Sequence, residues 1–555
     1  MFHRNIEVNI PNKKRVRKNG GPFYVYEILS RKNKKHKEKV VCVGVLNKEQ
    51  TKMHPNNKYY ELHKERITED SLLEVKEFDN QIHLGAEMVL RKIAEDEGLS
   101  TILNECFDGR SNIILSLVDY FLIRRDSSAQ LFKYFLRDHY TDLNYIPSET
   151  ELSNLFNDFF NHENISNFLT RWMNYRVSNK KHHSYIDIDF DSTNRNVSSK
   201  SIGFAEFGKA KVDEGLPQVN TAYFLDRESG LPIYYDIYYG SIIDMSHCQV
   251  ALEKIKAVNK SIKGMIVMDR GYFSNKNIEY FEKNKFSFLC MGKDNKVFSD
   301  LINTYPRNEI SEPKNRVYKT IYGLKLVGKP FETTNKNYHI YLYYNESDVA
   351  YEASRIQDEV EYCAKFLVGK KDKDKQIENT FGKRINLTYD DERIIIKAEP
   401  NYTYLKNRKN ELGYFWIVSN VDDTCENILL SYRHRDLIEK QMKYSKSLAD
   451  LDKLFAQSDN AYEAKTLLSF ISAILRSIIV LKIKPYVLQY SNETSQTVLL
   501  ELDKIKVEEI NDSYILRYAL TSKQKQILSL FDLTLRNVLD YSERINFNKN
   551  ITSKK

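Results

Sequence analysis

The sequence predicts an α/β protein built on a mixed sheet flanked by helices, and three observations carry that expectation. The segment S-Y-I-D-I-D-F-D-S-T, residues 184–193, alternates apolar and acidic side chains as a strand with one buried face does. Val219 to Leu225 and Leu231 to Tyr239 flank the turn D-R-E-S-G and read as a hairpin. After a helical stretch around 246–259, the run Met265 to Met268 is apolar throughout, as suits a strand buried on both faces.

The elements follow in order along 555 residues, of which 41% are hydrophobic and 12% aromatic, enough for several cores. Residues 1–75 read as a basic arm and a small β module. The first 40 residues hold twelve Lys or Arg against three Glu, and 22–47 alternate like a hairpin. With a formal net charge of +8, that arm suits a polyanion. Residues 76–180 take helical spacing, as in Leu90, Ile93, Ala94 and Leu99. Residues 181–295 hold the first part of the sheet, and 296–412 form an irregular, β-rich insertion with a charged helix near 347–367. The sheet resumes in 413–480 with the strand Tyr414 to Val418, a D-D-T helix-capping signal and a helical pattern expected to run through about 458. Residues 481–555 are expected to be helical.

The longest apolar stretch, Leu467 to Leu481, is interrupted by Ser469, Ser472, Arg476 and Ser477. It reads as a buried helix and not a membrane span. The six cysteines form no C-x-x-C pair, which disfavours a disulfide framework or a cysteine zinc site, and they are expected to be reduced and mostly buried. No apolar signal region precedes the basic start, so the expected location is cytoplasmic.

Three acidic elements carry the chemistry. The first strand puts Ile186, Ile188 and Phe190 on one face and Asp187, Asp189 and Asp191 on the other, and is expected to end in these carboxylates, with Asp191 the preferred ligand. Asp269 follows the buried strand, with Gly271 two residues later. Tyr432, Arg435, Glu439 and Lys446, at offsets 0, 3, 7 and 14, fall within roughly 60° on a helix, while Leu430, Leu437 and Ile438 point elsewhere. Alone, that stripe is better read as an exposed salt-bridge ladder with Arg435 paired to Glu439. Carboxylates gathered at a sheet edge repel unless cations neutralise them, and Mg²⁺ prefers oxygen ligands and phosphates. Two such ions about 4 Å apart suit phosphodiester chemistry on nucleic acid. His182, His183 and His434 read as solvated, and Arg270 and Tyr272 as either touching DNA or bracing their loop.

These residues resemble the DDE transposases of family-four insertion sequences. Three motifs match in order: D-S-T-N from Asp191, D-R-G-Y-F from Asp269, and Y-x2-R-x3-E-x6-K filled by Tyr432, Arg435, Glu439 and Lys446. L-P-Q-V-N at 216–220, S-G-L-P at 229–232 and Y-Y-G-S-I-I-D at 238–244 extend the likeness. The resemblance implies a ribonuclease H-like core interrupted by the β-rich insertion, with Asp191, Asp269 and Glu439 as catalytic metal ligands and Tyr432, Arg435 and Lys446 on the DNA backbone. It implies two Mg²⁺ ions, with Mn²⁺ able to substitute, and double-stranded DNA as partner, both the element's inverted ends and the target. A homodimer in the DNA complex, a helical region at 76–180 serving DNA binding or dimerisation, and a bacterial cytoplasmic protein on the nucleoid follow from the same likeness. The implied activity is cleavage at element ends and strand transfer; a catalytically silent DNA-binding descendant and a nuclease without strand transfer are the alternatives. Some relatives hold a flipped base with a Trp of the insertion, whereas Trp172 and Trp416 both lie outside 296–412. Tyr322, Phe331 and Tyr338 read as β packing and are not assigned to that role.

Overall fold

A computed structural model describes residues 7–18, 22–30, 39–66, 81–143, 145–178, 186–209, 213, 215–259, 264–435, 456–489, 493–511 and 513–553. Near the start, β1 (Lys14–Lys18), β2 (Phe23–Ser30), β3 (Lys39–Leu46) and β4 (Met53–Pro55) form an antiparallel sheet in that order around Val25, Val43, Met53, Tyr59 and Tyr60. Strand β5 (Gln81–His83) then leads into a run of helices that includes Gly85–Asp96, Ser111–Arg124, Ala129–Asp138 and His162–Ser178.

The main sheet begins with β6 (Ile188–Asn196), β7 (Gln218–Asp226) and β8 (Pro232–Tyr239), an antiparallel meander. Next come β9 (Met265–Met268), parallel to β6, and β10 (Ser287–Met291), parallel to β9. Residues 296–412 supply β11 (Arg316–Tyr318), β12 (Ile321–Gly328) and β13 (Tyr338–Asn345) to this same sheet. They also supply a smaller unit, in which the helix Glu346–Leu367 covers the hairpin of β14 (Ile385–Tyr389) and β15 (Ile395–Pro400) around Val360, Leu367, Ile385 and Ile395. Strand β16 (Tyr414–Ser419) returns between β10 and β13, antiparallel to both. The resulting order is β11-β12-β13-β16-β10-β9-β6-β7-β8.

Period-2 alternation gives this sheet two apolar faces. Ile188, Phe190, Ile266, Met268, Phe288 and Trp416 join the large core shared with the helices, while Val267, Leu289, Tyr341, Tyr343 and Ile417 face a second core closed by Ile428, Leu429 and Tyr432. The acidic face of β6 lies on the second side, because Asp189 and Asp191 alternate with Ile188 and Phe190. Strand β6 continues past Asp191 to Asn196, since β7 pairs with it along that whole length. The expectation of a strand ending in carboxylates is therefore corrected: only its pairing with β9 stops among them, at Asp189.

The long helix Asp459–Gln489 packs against Ser111–Arg124 and β8. By length and composition it could cross a membrane, with a mean hydropathy of 1.9 in its most apolar window, yet 83% of that window is buried inside the protein. Its serine interruptions are satisfied within the helix: the hydroxyls of Ser469, Ser472 and Ser477 donate to the carbonyls of Lys465, Leu468 and Ala473 at 2.9, 2.8 and 2.6 Å. The chain closes with β17 (Lys506–Ile510), which pairs with β5 and with β18 (Ser513–Ile515), and with helices that include Leu535–Ser553. The six cysteines are free; Cys106, Cys248 and Cys290 are buried and the other three half-buried.

Trp416 locks β16 to the loop after β10. Its indole Nε1 donates to the Lys293 carbonyl at 3.2 Å, and the ring stacks on Phe298 and meets Phe273 edge-on. Gly292 lies directly beneath it, where a Cβ would come within 2.1 Å of the indole. Gly292→Ala is expected to displace the ring and lower stability by about 1–3 kcal/mol, read as a lower Tm and denaturant midpoint; an unchanged midpoint would refute tight packing at this point.

Candidate active site

Two of the three acidic elements meet because of strand register. The parallel pairing of β6 with β9 matches Ile188 to Ile266 and Asp189 to Val267. Carried two residues further, it sets Asp191 level with Asp269, the first residue after β9. Each carboxylate is oriented by an adjacent amide: Asp191 Oδ1 accepts from the Ser192 N–H at 2.8 Å, and Asp269 Oδ1 accepts from the Arg270 N–H at 2.6 Å, capping a single 3₁₀ turn. The Oδ2 atoms both face the Arg435 guanidinium, at 3.4 Å from Asp191 and 3.9 Å from Asp269. Arg435 is buried, Asp191 is 17% exposed and Asp269 39% exposed. The guanidinium thus offsets two neighbouring like charges at a place open on the Asp269 side.

Arg435 arrives on the helix Cys425–Arg433, whose N-cap Thr424 accepts from the Asn427 N–H as the D-D-T signal predicts. That helix ends at Arg433, and Arg435 lies in the turn beyond it. The expectation of one unbroken helix from 424 to 458, with Tyr432 and Arg435 on a single outward stripe, is corrected accordingly. Tyr432 instead points inward and closes the second core, while Leu430 is exposed. Arg435 lies over the Tyr432 ring at 5.9 Å. Burial pushes the Tyr432 phenol well above its ordinary pKa, Arg435 pulls it back and Asp269 adds to the rise, so the phenol keeps its proton at neutral pH. Glu439 and Lys446, like His182 and His183, lie outside the described residues.

Asp189, two residues before Asp191 on the same face, has a different task. Buried to 2% exposure, it is paired with Arg227, which also donates to the Ser431 carbonyl at 2.6 Å. His434 approaches its other oxygen at 3.8 Å while remaining 42% exposed, in keeping with a solvated histidine. Burial raises the Asp189 pKa against the pull of Arg227 and His434. The pair ties the end of the Cys425–Arg433 helix to β6 and so positions Arg435. Arg227 was missed in the sequence because it occupies a hairpin turn; only the carboxylates on the facing strand hinted at a cation there. Asp187 is likewise structural, accepting from the Met265 N–H at 2.6 Å at the start of β9.

Behind the two carboxylates, Tyr272 settles into a bracing role. It is buried, and its hydroxyl donates to Ser192 Oγ at 2.6 Å while its ring meets Phe190 edge-on. Tyr238 donates to Asp244 at 2.6 Å and stacks on His247, which bonds Asp236 at 2.8 Å. The motif residues at 238–244 therefore serve to hold the floor of the site.

A family model described as the transposase DDE domain matches residues 182–475, more than half of the chain. The chain belongs to the DDE transposases. No curated protein matches it by sequence. Among solved structures, the cryo-EM structure of the piggyBac transposase synaptic complex with hairpin DNA aligns at 10% identity and a TM-score of 0.31, covering 84% of this chain and 76% of that one. DDE transposases cleave DNA and transfer strands, and typically use divalent metal ions. In this transposase the pair Asp191 and Asp269 fits such an ion: the donors are all oxygen, they adjoin one another, and one cationic group already spans them.

The different environments of Asp189 and Asp191 yield opposite expectations. Asp189→Asn breaks a buried ion pair and should cost about 3–5 kcal/mol in chemical denaturation. Asp191→Asn removes one of two like charges and should leave stability within about 1 kcal/mol of the parent, while abolishing any rise in Tm caused by Mg²⁺ or Mn²⁺. Equal destabilisation by both changes would overturn this division of roles.

Proposed function

We propose that this DDE transposase is of the family-four insertion-sequence type, cutting DNA at its element's inverted ends and joining the freed 3′-hydroxyls to target DNA. The adjacency of Asp191 and Asp269 beneath Arg435 carries this reading. Two further features support it. The strand order β8-β7-β6-β9-β10, an antiparallel meander followed by two parallel strands, is what a ribonuclease H-like core requires, with both aspartates at its centre. Glu439 and Lys446 complete the Y-x2-R-x3-E-x6-K signature begun by Tyr432 and Arg435.

In this mechanism Asp191, Asp269 and Glu439 would hold two divalent cations, Mg²⁺ or Mn²⁺, which would supply activation of a water or 3′-hydroxyl and stabilisation of the leaving oxygen. The chain itself supplies orientation: the Ser192 and Arg270 amides fix the two carboxylates, and the Asp189–Arg227 pair fixes the segment that brings Arg435. Arg435 and Lys446 offer charge to the DNA backbone, while Tyr432, buried in the second core, braces the segment that carries Arg435. The helical region 76–180 and the basic arm serve end recognition and pairing of two protomers on DNA, in a protein of the bacterial cytoplasm.

The decisive test is Mg²⁺-dependent nicking of a duplex carrying the element end, by the parent and by Glu439→Gln. End-specific nicking should fall at least about 100-fold in the variant while DNA binding persists. Binding without cutting by both proteins, in Mg²⁺ and Mn²⁺ alike, would replace the enzyme with a DNA-binding protein. Cutting without end specificity or joining would make it a nuclease.

A further inference from the structure

Far from the aspartates in sequence, four side chains from separate segments converge where the first helices meet the C-terminal region. They are His83 at the end of β5, Glu87 in the first turn of the helix Gly85–Asp96, His139 just after Ala129–Asp138, and Asp503 at the end of the helix Ser495–Asp503. One donor atom each from His83, His139 and Asp503 lie within 4.8 Å of one another. Asp503 Oδ1 stands 3.1 Å from His139 Nε2 and 3.4 Å from His83 Nδ1, and Glu87 Oε1 is 3.8 Å from His139 Nε2. Ligands about 2.1 Å from a tetrahedral ion stand roughly 3.4 Å apart, which matches this spacing.

The hydrogen bonds around the cluster favour an ion. His139 Nδ1 is 2.5 Å from Asp138 Oδ1, the carboxylate–histidine arrangement that fixes Nδ1–H and turns the Nε2 lone pair inward. Inward lie the oxygens of Asp503 and Glu87, which are acceptors when ionised. An imidazolium proton on Nε2 would serve Asp503 but not Glu87, since 3.8 Å is beyond a hydrogen bond. Both Glu87 oxygens are fully buried without a hydrogen-bond partner. The next cation on that helix, Arg91, is committed to Asp119 at 2.8 Å and Asp142 at 3.2 Å. Glu87 and His139 are wholly enclosed, while His83 and Asp503 are 26% and 19% exposed, so the cluster opens on one side only.

We propose that His83, Glu87, His139 and Asp503 form a structural site for one divalent transition-metal ion of the zinc class, stapling the C-terminal segment to the first helices. Two imidazoles and two carboxylates suit Zn²⁺, in contrast to the oxygen-only pair Asp191 and Asp269. Binding at His83 Nδ1 would displace the proton that this nitrogen otherwise donates to the Asp503 carbonyl, 2.5 Å away, the neutral ring then carrying its N–H on Nε2. The ion would join residues 364 apart in sequence, beside the antiparallel pairing of β5 with β17.

The test uses the full chain carrying Asp191→Asn and Asp269→Asn, so that the catalytic carboxylates do not take up the ion. After dialysis against Zn²⁺, elemental analysis should find about one zinc per chain. Zn²⁺ should raise Tm by several degrees over chelator, and Co²⁺ should give a visible d–d spectrum of nitrogen and oxygen ligation. Adding Glu87→Gln or His83→Gln should reduce the Tm response and the stoichiometry; the two near-isosteric changes are used because His139→Ala risks misfolding. If Glu87 is merely a buried protonated acid, zinc stays at background and Glu87→Gln leaves Tm unchanged, which overturns the proposal. Zinc uptake that is the same in both variants as in their parent overturns it equally.

Discussion

The arrangement of this transposase rests on neutralising a line of carboxylates along one face of a strand. Asp187 just before β6 and Asp189 and Asp191 within it follow one alternation, and Asp269 arrives beside Asp191 from the end of β9. Unpaired, such charges would repel one another and oppose packing of the segment above. Asp187 is absorbed by a backbone amide, Asp189 by Arg227, and Asp191 with Asp269 by Arg435. The two arginines do more than compensate charge. Arg227 grips the helix end through the Ser431 carbonyl, and that helix end delivers Arg435. Local electrostatics and the position of the site are thus one constraint.

The sheet order explains how a long excursion between the second aspartate and the third motif is accommodated. The chain leaves after β10, and β16 returns as its immediate antiparallel neighbour. Closing a loop becomes only slowly more costly with length, about 0.6 kcal/mol per doubling. Part of the excursion is also anchored, because β13 pairs with β16 from His339 opposite Ser419 to Tyr344 opposite Tyr414. Tyr341 and Tyr343 reach across this anchor, donating to carbonyls of Val421 and Cys425 at 2.8 Å each and so fixing the entry to the helix that carries Tyr432. The inserted strands therefore act on the site from the side, through the start of that helix.

Much of this was legible in the sequence because it depends on local patterns. The alternation of S-Y-I-D-I-D-F-D-S-T separates the two faces of β6, the D-R-E-S-G turn lies between β7 and β8, and the uniform run Met265 to Met268 is a strand buried on both sides. What stayed hidden depends on partners distant in the chain. Helical spacing is satisfied equally by a continuous helix and by one that ends at Arg433, and the difference decides where Arg435 stands relative to Tyr432. Arg227 looks like an ordinary turn residue until β6 is placed beneath it. His83, Glu87, His139 and Asp503 show no ligand spacing, because Asp503 stands 364 residues beyond His139.

Asp189 and Asp191 make the general point within one strand. They are the same residue type, on the same face, two positions apart. Asp189 is 2% exposed and paired with an arginine that is itself tethered to a carbonyl, so its counter-charge cannot leave without disrupting the helix end. Asp191 is 17% exposed and faces an arginine in a turn, beside a second carboxylate that is 39% exposed. The counter-charge of the first is part of the fold, whereas the carboxylates at the second keep an exposed side. The tethering of the counter-charge and the exposure of the acid, more than the acid's identity, separate a structural carboxylate from one open to a further cation.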